Sequence, residues 1–126
     1  MRYLDELKAL DLPPDRYVVS GSGPLAVRGI RENRDIDLVL SAGLWEALKE
    51  DYPFNRNGGL QLSEHVEAFP RWPGVEKPWK LIERAEIIDG VPFALLEDVE
   101  AWKVRSSDSK DVEDVRLIRN YREGHG

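Results

Sequence analysis

The sequence predicts an α/β or α+β sheet domain rather than a helical bundle or a β-sandwich, and three observations carry that expectation. Short apolar runs with strand character are interleaved with segments whose apolar residues recur at helical spacing. An Asp89-Gly90 turn joins two such runs as a hairpin. The 126 residues fit a single domain, 1–126, at roughly 100–200 residues per domain.

Leu4, Leu7 and Leu10 predict a first helix, closed by Pro13-Pro14. Tyr17-Val18-Val19 reads as a buried strand ending at Ser20-Gly21-Ser22-Gly23, and Pro24 suits the first turn of a helix through Leu25, Ala26, Val27 and Ile30. Asp35 to Leu40 reads as a second strand, with Ile36, Leu38 and Leu40 on one face and Asp35 and Asp37 on the other. Leu44, Trp45, Ala47 and Leu48 predict a short helix, and Asn57-Gly58-Gly59 a turn. Leu60 and Leu62 alternate with polar neighbours, and Val66-Glu67-Ala68-Phe69 reads as their paired strand, stopped by Pro70. A helix over 79–84, the hairpin of Ile87-Ile88 with Phe93-Ala94-Leu95, and two terminal helices complete the chain. The last helix carries Val112, Val115, Ile118 and Tyr121 at helical spacing behind a Ser109 cap.

Composition narrows the chemistry. Eighteen Lys and Arg against 24 Asp and Glu give a net charge of −6, which argues against charge-driven wrapping of duplex DNA. With no cysteine there is no disulfide, thiolate zinc site, iron–sulfur ligation or cysteine nucleophile. His65 and His125 are the only histidines, so a metal would have to be held by carboxylates. The charged N-terminus and the lack of an apolar run approaching the ~20 residues that span a bilayer predict a cytoplasmic protein with no membrane partner.

Gly21-Ser22-Gly23-Pro24-Leu25-Ala26 fits the glycine turn that brings a backbone against a pyrophosphate. In dinucleotide-binding folds an acidic residue about 20 positions on, past a second strand, binds the ribose. Here Asp35 and Asp37 come 14 and 16 positions after Gly21 and open their strand. A plain strand-to-helix turn is the other reading. Alternate strand positions lie about 6–7 Å apart on one face, so Asp35 and Asp37 can converge on one point. Like charges there repel unless a divalent cation joins them, and Mg²⁺ prefers carboxylate and phosphate oxygens. A third carboxylate on a neighbouring strand would complete a two-metal site with ions ~3.5–4 Å apart, and Glu67, flanked by apolar residues, is the candidate. For each acid the alternative is a solvated strand residue.

These residues resemble the DNA polymerase β-like nucleotidyltransferases, whose signature is an apolar residue, Gly-Gly or Gly-Ser, about ten residues, then D-h-[DE]-h with h apolar. Gly21-Ser22 and Asp35-Ile36-Asp37-Leu38, twelve residues apart, match it, with Ser20 in place of the apolar residue. Val66-Glu67-Ala68-Phe69 looks like the third-carboxylate strand, and Arg31 like the arginine before the acidic pair. Lys103 followed by Lys110-Asp111-Val112-Glu113-Asp114 is similar to the helical tail of the toxin–antitoxin branch.

The resemblance implies a nucleotidyltransferase fold, a mixed sheet with helices packed on it. It implies catalysis by Asp35, Asp37 and Glu67 holding two Mg²⁺ ions, and an NTP, with ATP expected, held by the Gly21 and Ser22 amides, Arg31 and Lys103. Asp111 would orient Lys103 or the acceptor, a tRNA or a partner protein in a toxin–antitoxin pair. A monomer or homodimer is expected. A nucleotide- or partner-binding module without turnover and a small dinucleotide-binding domain are the competing functions. Arg105, Lys110, Arg116, Arg119 and Arg122 are either an ion-paired helix face or an RNA contact. Trp45, Trp72, Trp79 and Trp102 read as core or edge aromatics, one of which could stack on a base.

Overall fold

A computed structural model describes residues 1–125. The elements in chain order are α1 (Leu4–Ala9), β1 (Tyr17–Ser20), α2 (Gly23–Val27), β2 (Ile36–Leu40), α3 (Ala42–Leu48), β3 (Leu60–Ser63), β4 (Val66–Phe69), α4 (Pro78–Glu83), β5 (Glu86–Ile88), β6 (Val91–Phe93), α5 (Leu96–Val104) and α6 (Ser109–His125). Six strands form one mixed sheet in the order β3-β4-β2-β1-β6-β5. The pairs β4/β2 and β1/β6 are parallel, and the other three are antiparallel. This is the α+β architecture the sequence predicts. No helix among the described residues is long and apolar enough to cross a membrane.

Strand alternation sorts the side chains into two cores. On one face Leu7 of α1 and Leu44 of α3 pack with Val19, Ile36, Leu38, Val66, Ala68 and Phe93. On the other, Leu25 of α2, Leu81 of α4, Val99 and Trp102 of α5 and Ile118 of α6 cover Val18, Val39 and Ala94. Burial of each Val, Leu, Ile or Phe side chain among them contributes about 1.5–3 kcal/mol. Ser20 lies two residues past Val18, Asp37 two before Val39 and Glu67 two before Phe69, so all three share the second face.

The connections aim the chain at that edge of the sheet. Helix α2 stops after five residues because Gly29, at φ +75°, closes a Schellman turn in which the Gly29 N–H bonds the Ala26 carbonyl and the Ile30 N–H bonds the Leu25 carbonyl. That reversal sends Arg31 back toward β2. Asp89 (φ 54°) and Gly90 (φ 77°) form the hairpin turn.

Four expectations are corrected. Asp35 stands one residue ahead of β2, which begins where the Ile36 N–H bonds the His65 carbonyl. β6 ends at Phe93, and Leu95 precedes α5 instead of extending the strand. The cap of α6 is Asp108 rather than Ser109: its Oδ1 accepts from the Lys110 N–H and its carbonyl from Asp111 and Val112. Val112 faces outward at 60% exposure, because a run of threes drifts around a 3.6-residue helix.

Candidate functional site

The register puts Ser20 opposite Asp37, Asp37 beside Glu67 and Glu67 opposite Gln61, one row across β1, β2, β4 and β3. Gly21 adopts φ +62° at the end of β1, and a Cβ there would stand 2.6 Å from Asp37 Oδ2. Glycine is therefore required twice, by the left-handed backbone and by a carboxylate packed against it.

The Asp37 and Glu67 carboxyl groups are within hydrogen-bonding reach of each other. Burial, that hydrogen bond and the charges of Glu67 and Asp35 push Asp37 up to about 7, against the opposing pull of Lys103. Asp37 thus keeps its proton across a range in which isolated carboxylates have lost theirs. Glu67 Oε1 also accepts from Asn55 Nδ2 at 2.7 Å and Asn57 Nδ2 at 2.8 Å. Asn55 Oδ1 in turn accepts from the Asn57 and Gly59 N–H groups, folding the turn before β3 around the carboxylate. Asp35 is exposed, and its carbonyl accepts from buried Asn33, which clamps Arg2 through both its N–H and its carbonyl.

A cleft of about 650 Å³ opens over this row. Gly21, Ser22, Asp35, Asp37 and Glu67 line it with Arg31 and Lys103, so seven of the eight residues singled out from the sequence come together. Asp111 lies in an adjoining cleft that shares Lys103. As the side chains stand, no group of three or more His, Cys, Asp and Glu among the described residues is arranged to hold a metal ion. The donor set around Asp37, all carboxylate oxygen with no thiolate or imidazole, is nevertheless the chemistry magnesium takes. A cation there would replace the shared proton.

Arg31 and Lys103 are not free cations. Arg31 grips Asp114 through two bonds of 2.6 and 2.8 Å, and Lys103 Nζ lies 2.9 Å from Asp111 and 3.0 Å from Asp114. Burial alone would raise Asp114; the bonds from Arg31 and Lys103 overturn that and hold it below its usual value. The same balance, with Lys103 and Ser106 as partners, lowers Asp111. Arg34 and Lys110 also line the cleft, and among the described residues no carboxylate lies within ion-pair distance of either. Lys110 and Asp114 are visible in the sequence only as the two ends of the Lys110 to Asp114 run, whereas Arg34 carries no signal separating it from other surface cations.

The basic C-terminal face is largely neutralised. Arg116 pairs with Glu113, and Arg119 and Arg122 both reach Glu100 of α5. The dinucleotide reading meets an obstacle in topology, since β1 and β2 are antiparallel neighbours and the glycine turn opens no parallel β–α–β unit. Of the tryptophans, Trp102 is buried, Trp45 and Trp72 pack at core margins, and Trp79 is 52% exposed.

No family model matches the chain. A 46-residue stretch is 37% identical to part of the mitochondrial intermediate peptidase of Candida glabrata, covering 36% of this chain and 6% of that protein. So short an overlap shows no family, and the functional reading rests on the cleft.

Proposed function

We propose that this protein is a cytoplasmic nucleotidyltransferase that transfers an NMP group from an NTP, with ATP expected, to an acceptor hydroxyl. The observation that carries the reading is the Asp37–Glu67 pair, two carboxyl groups on adjacent strands close enough to share a proton, set under a glycine turn and beside two cations that no carboxylate pairs among the described residues. Asp37 and Glu67, with Asp35 at the rim, would hold magnesium. Bound there, it would neutralise charge developing on the transferring phosphoryl oxygens.

The chain's own residues do the rest. The Gly21-Ser22 turn, free of a Cβ at its first position, packs its backbone against the Asp37 carboxylate, so phosphate oxygens bound by its amides would lie beside the groups that hold the metal. Arg34 and Lys110, unlike Arg31 and Lys103, have all their donors available for the β- and γ-phosphates. Asp114 fixes Arg31 and Lys103, so α5 and α6 form a rigid wall. The acceptor oxygen attacks the α-phosphorus, the bond to pyrophosphate breaks, and Glu67 accepts the hydroxyl proton.

Incubation with each α-labelled NTP, Mg²⁺ and a cell extract should label an acceptor in the wild type and none with Asp37→Asn. Equal labelling by that variant would remove the proposal. A second reading, a nucleotide-binding module without turnover, is favoured by the two asparagines on Glu67 Oε1, and predicts nucleotide uptake without labelled product.

A further inference from the structure

The segment from Arg71 to Lys80 runs from the end of β4 into the first turn of α4, and its charged residues and Trp79 are used neither by the core nor by the cleft over Asp37. It reads Arg-Trp-Pro-Gly-Val-Glu-Lys-Pro-Trp-Lys, three cations and two tryptophans against one acid, in a chain whose net charge is −6. Among the described residues no carboxylate lies within ion-pair distance of Arg71, Lys77 or Lys80. Lys80 Nζ sits 5.7 Å from the centroid of the exposed Trp79 ring, so a cation and a stacking surface stand together.

The segment is held in place. Trp72 packs edge-on between Phe69 of β4 and Trp102 of α5, at 5.8 and 6.1 Å between centroids. The Gly74 carbonyl accepts from Arg105 Nη1 at 2.9 Å, and Gly74 lies so close to α5 that a Cβ would meet the Trp102 carbonyl at 3.1 Å.

Two further clefts flank it. One, of about 410 Å³, meets the triphosphate cleft at Lys103, and it shares Gly74, Trp102 and Arg105 with the other, of about 440 Å³, which Lys77 and Lys80 line. The three clefts adjoin one another through these shared residues, and exposed Trp79 stands next to Lys80 at the far end of the row. Spaced cations that track phosphates, with an aromatic face on which any base can stack, are what a single strand of nucleic acid requires.

We infer that this row of clefts binds a single-stranded polynucleotide whose terminal hydroxyl is the acceptor. The inference rests on the nucleotidyltransferase reading for the word acceptor, but not for binding. It also moves the nucleic-acid contact from the ion-paired C-terminal arginines to Lys77, Trp79 and Lys80.

Fluorescence anisotropy with labelled oligouridylate and oligothymidylate of roughly ten nucleotides tests it, the sugar separating RNA from DNA. Binding should weaken with salt, and the double variant Lys77→Gln/Lys80→Gln should lower the log–log salt slope by about 1.4. Trp79→Ala should weaken binding roughly ten-fold by removing one stacked base. Both variants alter exposed side chains and should take up a fluorescent ATP analogue with Mg²⁺ as the wild type does. Oligonucleotide binding that neither variant changes would overturn the inference, as would no binding at low salt. Polyglutamate binding as tight as the oligonucleotide would overturn it in favour of an acidic protein. Oligonucleotide binding without any uptake of the ATP analogue would keep the row of clefts as a binding site and discard the nucleotidyltransferase reading.

Discussion

Asp37→Asn should stabilise the protein while abolishing the proposed transfer activity. A carboxyl group that ionises at 3.8 in the unfolded chain and at about 7 in the folded one binds its proton more tightly when folded. The folded state therefore loses stability as the pH rises between those values, because ionisation there leaves a buried charge beside Glu67. The full span corresponds to about 4 kcal/mol, and partial solvation of the carboxyl brings the expected effect to about 2 kcal/mol. Asparagine keeps the shape, cannot ionise and can donate to Glu67. Urea denaturation of both proteins at about pH 3.5, below the window, and about pH 8, above it, measures the difference. The variant should be nearly as stable as the wild type at the lower pH and about 2 kcal/mol more stable at the higher one. A variant less stable at both, or a difference that does not grow with pH, would refute the reasoning.

Asp114→Ala removes the carboxylate that Arg31 and buried Lys103 share, leaving Lys103 with Asp111 alone, and should cost about 3 kcal/mol in urea denaturation; a loss under about 1 kcal/mol would mean that water replaces the carboxylate. Gly21→Ala combines a left-handed backbone with a clash on Asp37 Oδ2, so a loss of about 1–2 kcal/mol is expected together with weaker ATP uptake, and unchanged values for both would contradict the close approach. His65 stacks on Tyr3 at 3.7 Å and faces Glu6, whose hydrogen bond raises the His65 pKa. That contribution is fully present below the unfolded pKa of 6.5 and is lost as the pH rises through the raised folded value. Wild-type thermal midpoints should fall across that window more than those of His65→Phe, which keeps the stack, and identical pH profiles would count against the pair.

The sequence carried the sheet because its strands and turns are local signals: four apolar residues before a glycine, alternation around Glu67, an Asp-Gly hairpin. The convergence of Asp37 and Glu67 followed from alternation plus a resemblance, and the register puts them side by side. Pairing between distant segments was not legible. Arg31 meets Asp114 across 83 residues, and Arg122 meets Glu100 across two helices, so of the cations read as phosphate or RNA contacts Arg31, Lys103, Arg116, Arg119 and Arg122 are ion-paired, while among the described residues Lys110 is not. Boundary errors at Asp35 and Leu95 arose where one backbone hydrogen bond decides whether a strand continues.

Calorimetric titration of ATP into the protein, with and without Mg²⁺, tests the Asp37–Glu67 pair most directly. Uptake should require the metal and should be lost in Glu67→Gln, with pH dependence that strengthens binding as the shared proton leaves near 7. Metal-independent uptake, or uptake by Glu67→Gln equal to the wild type, would contradict the account.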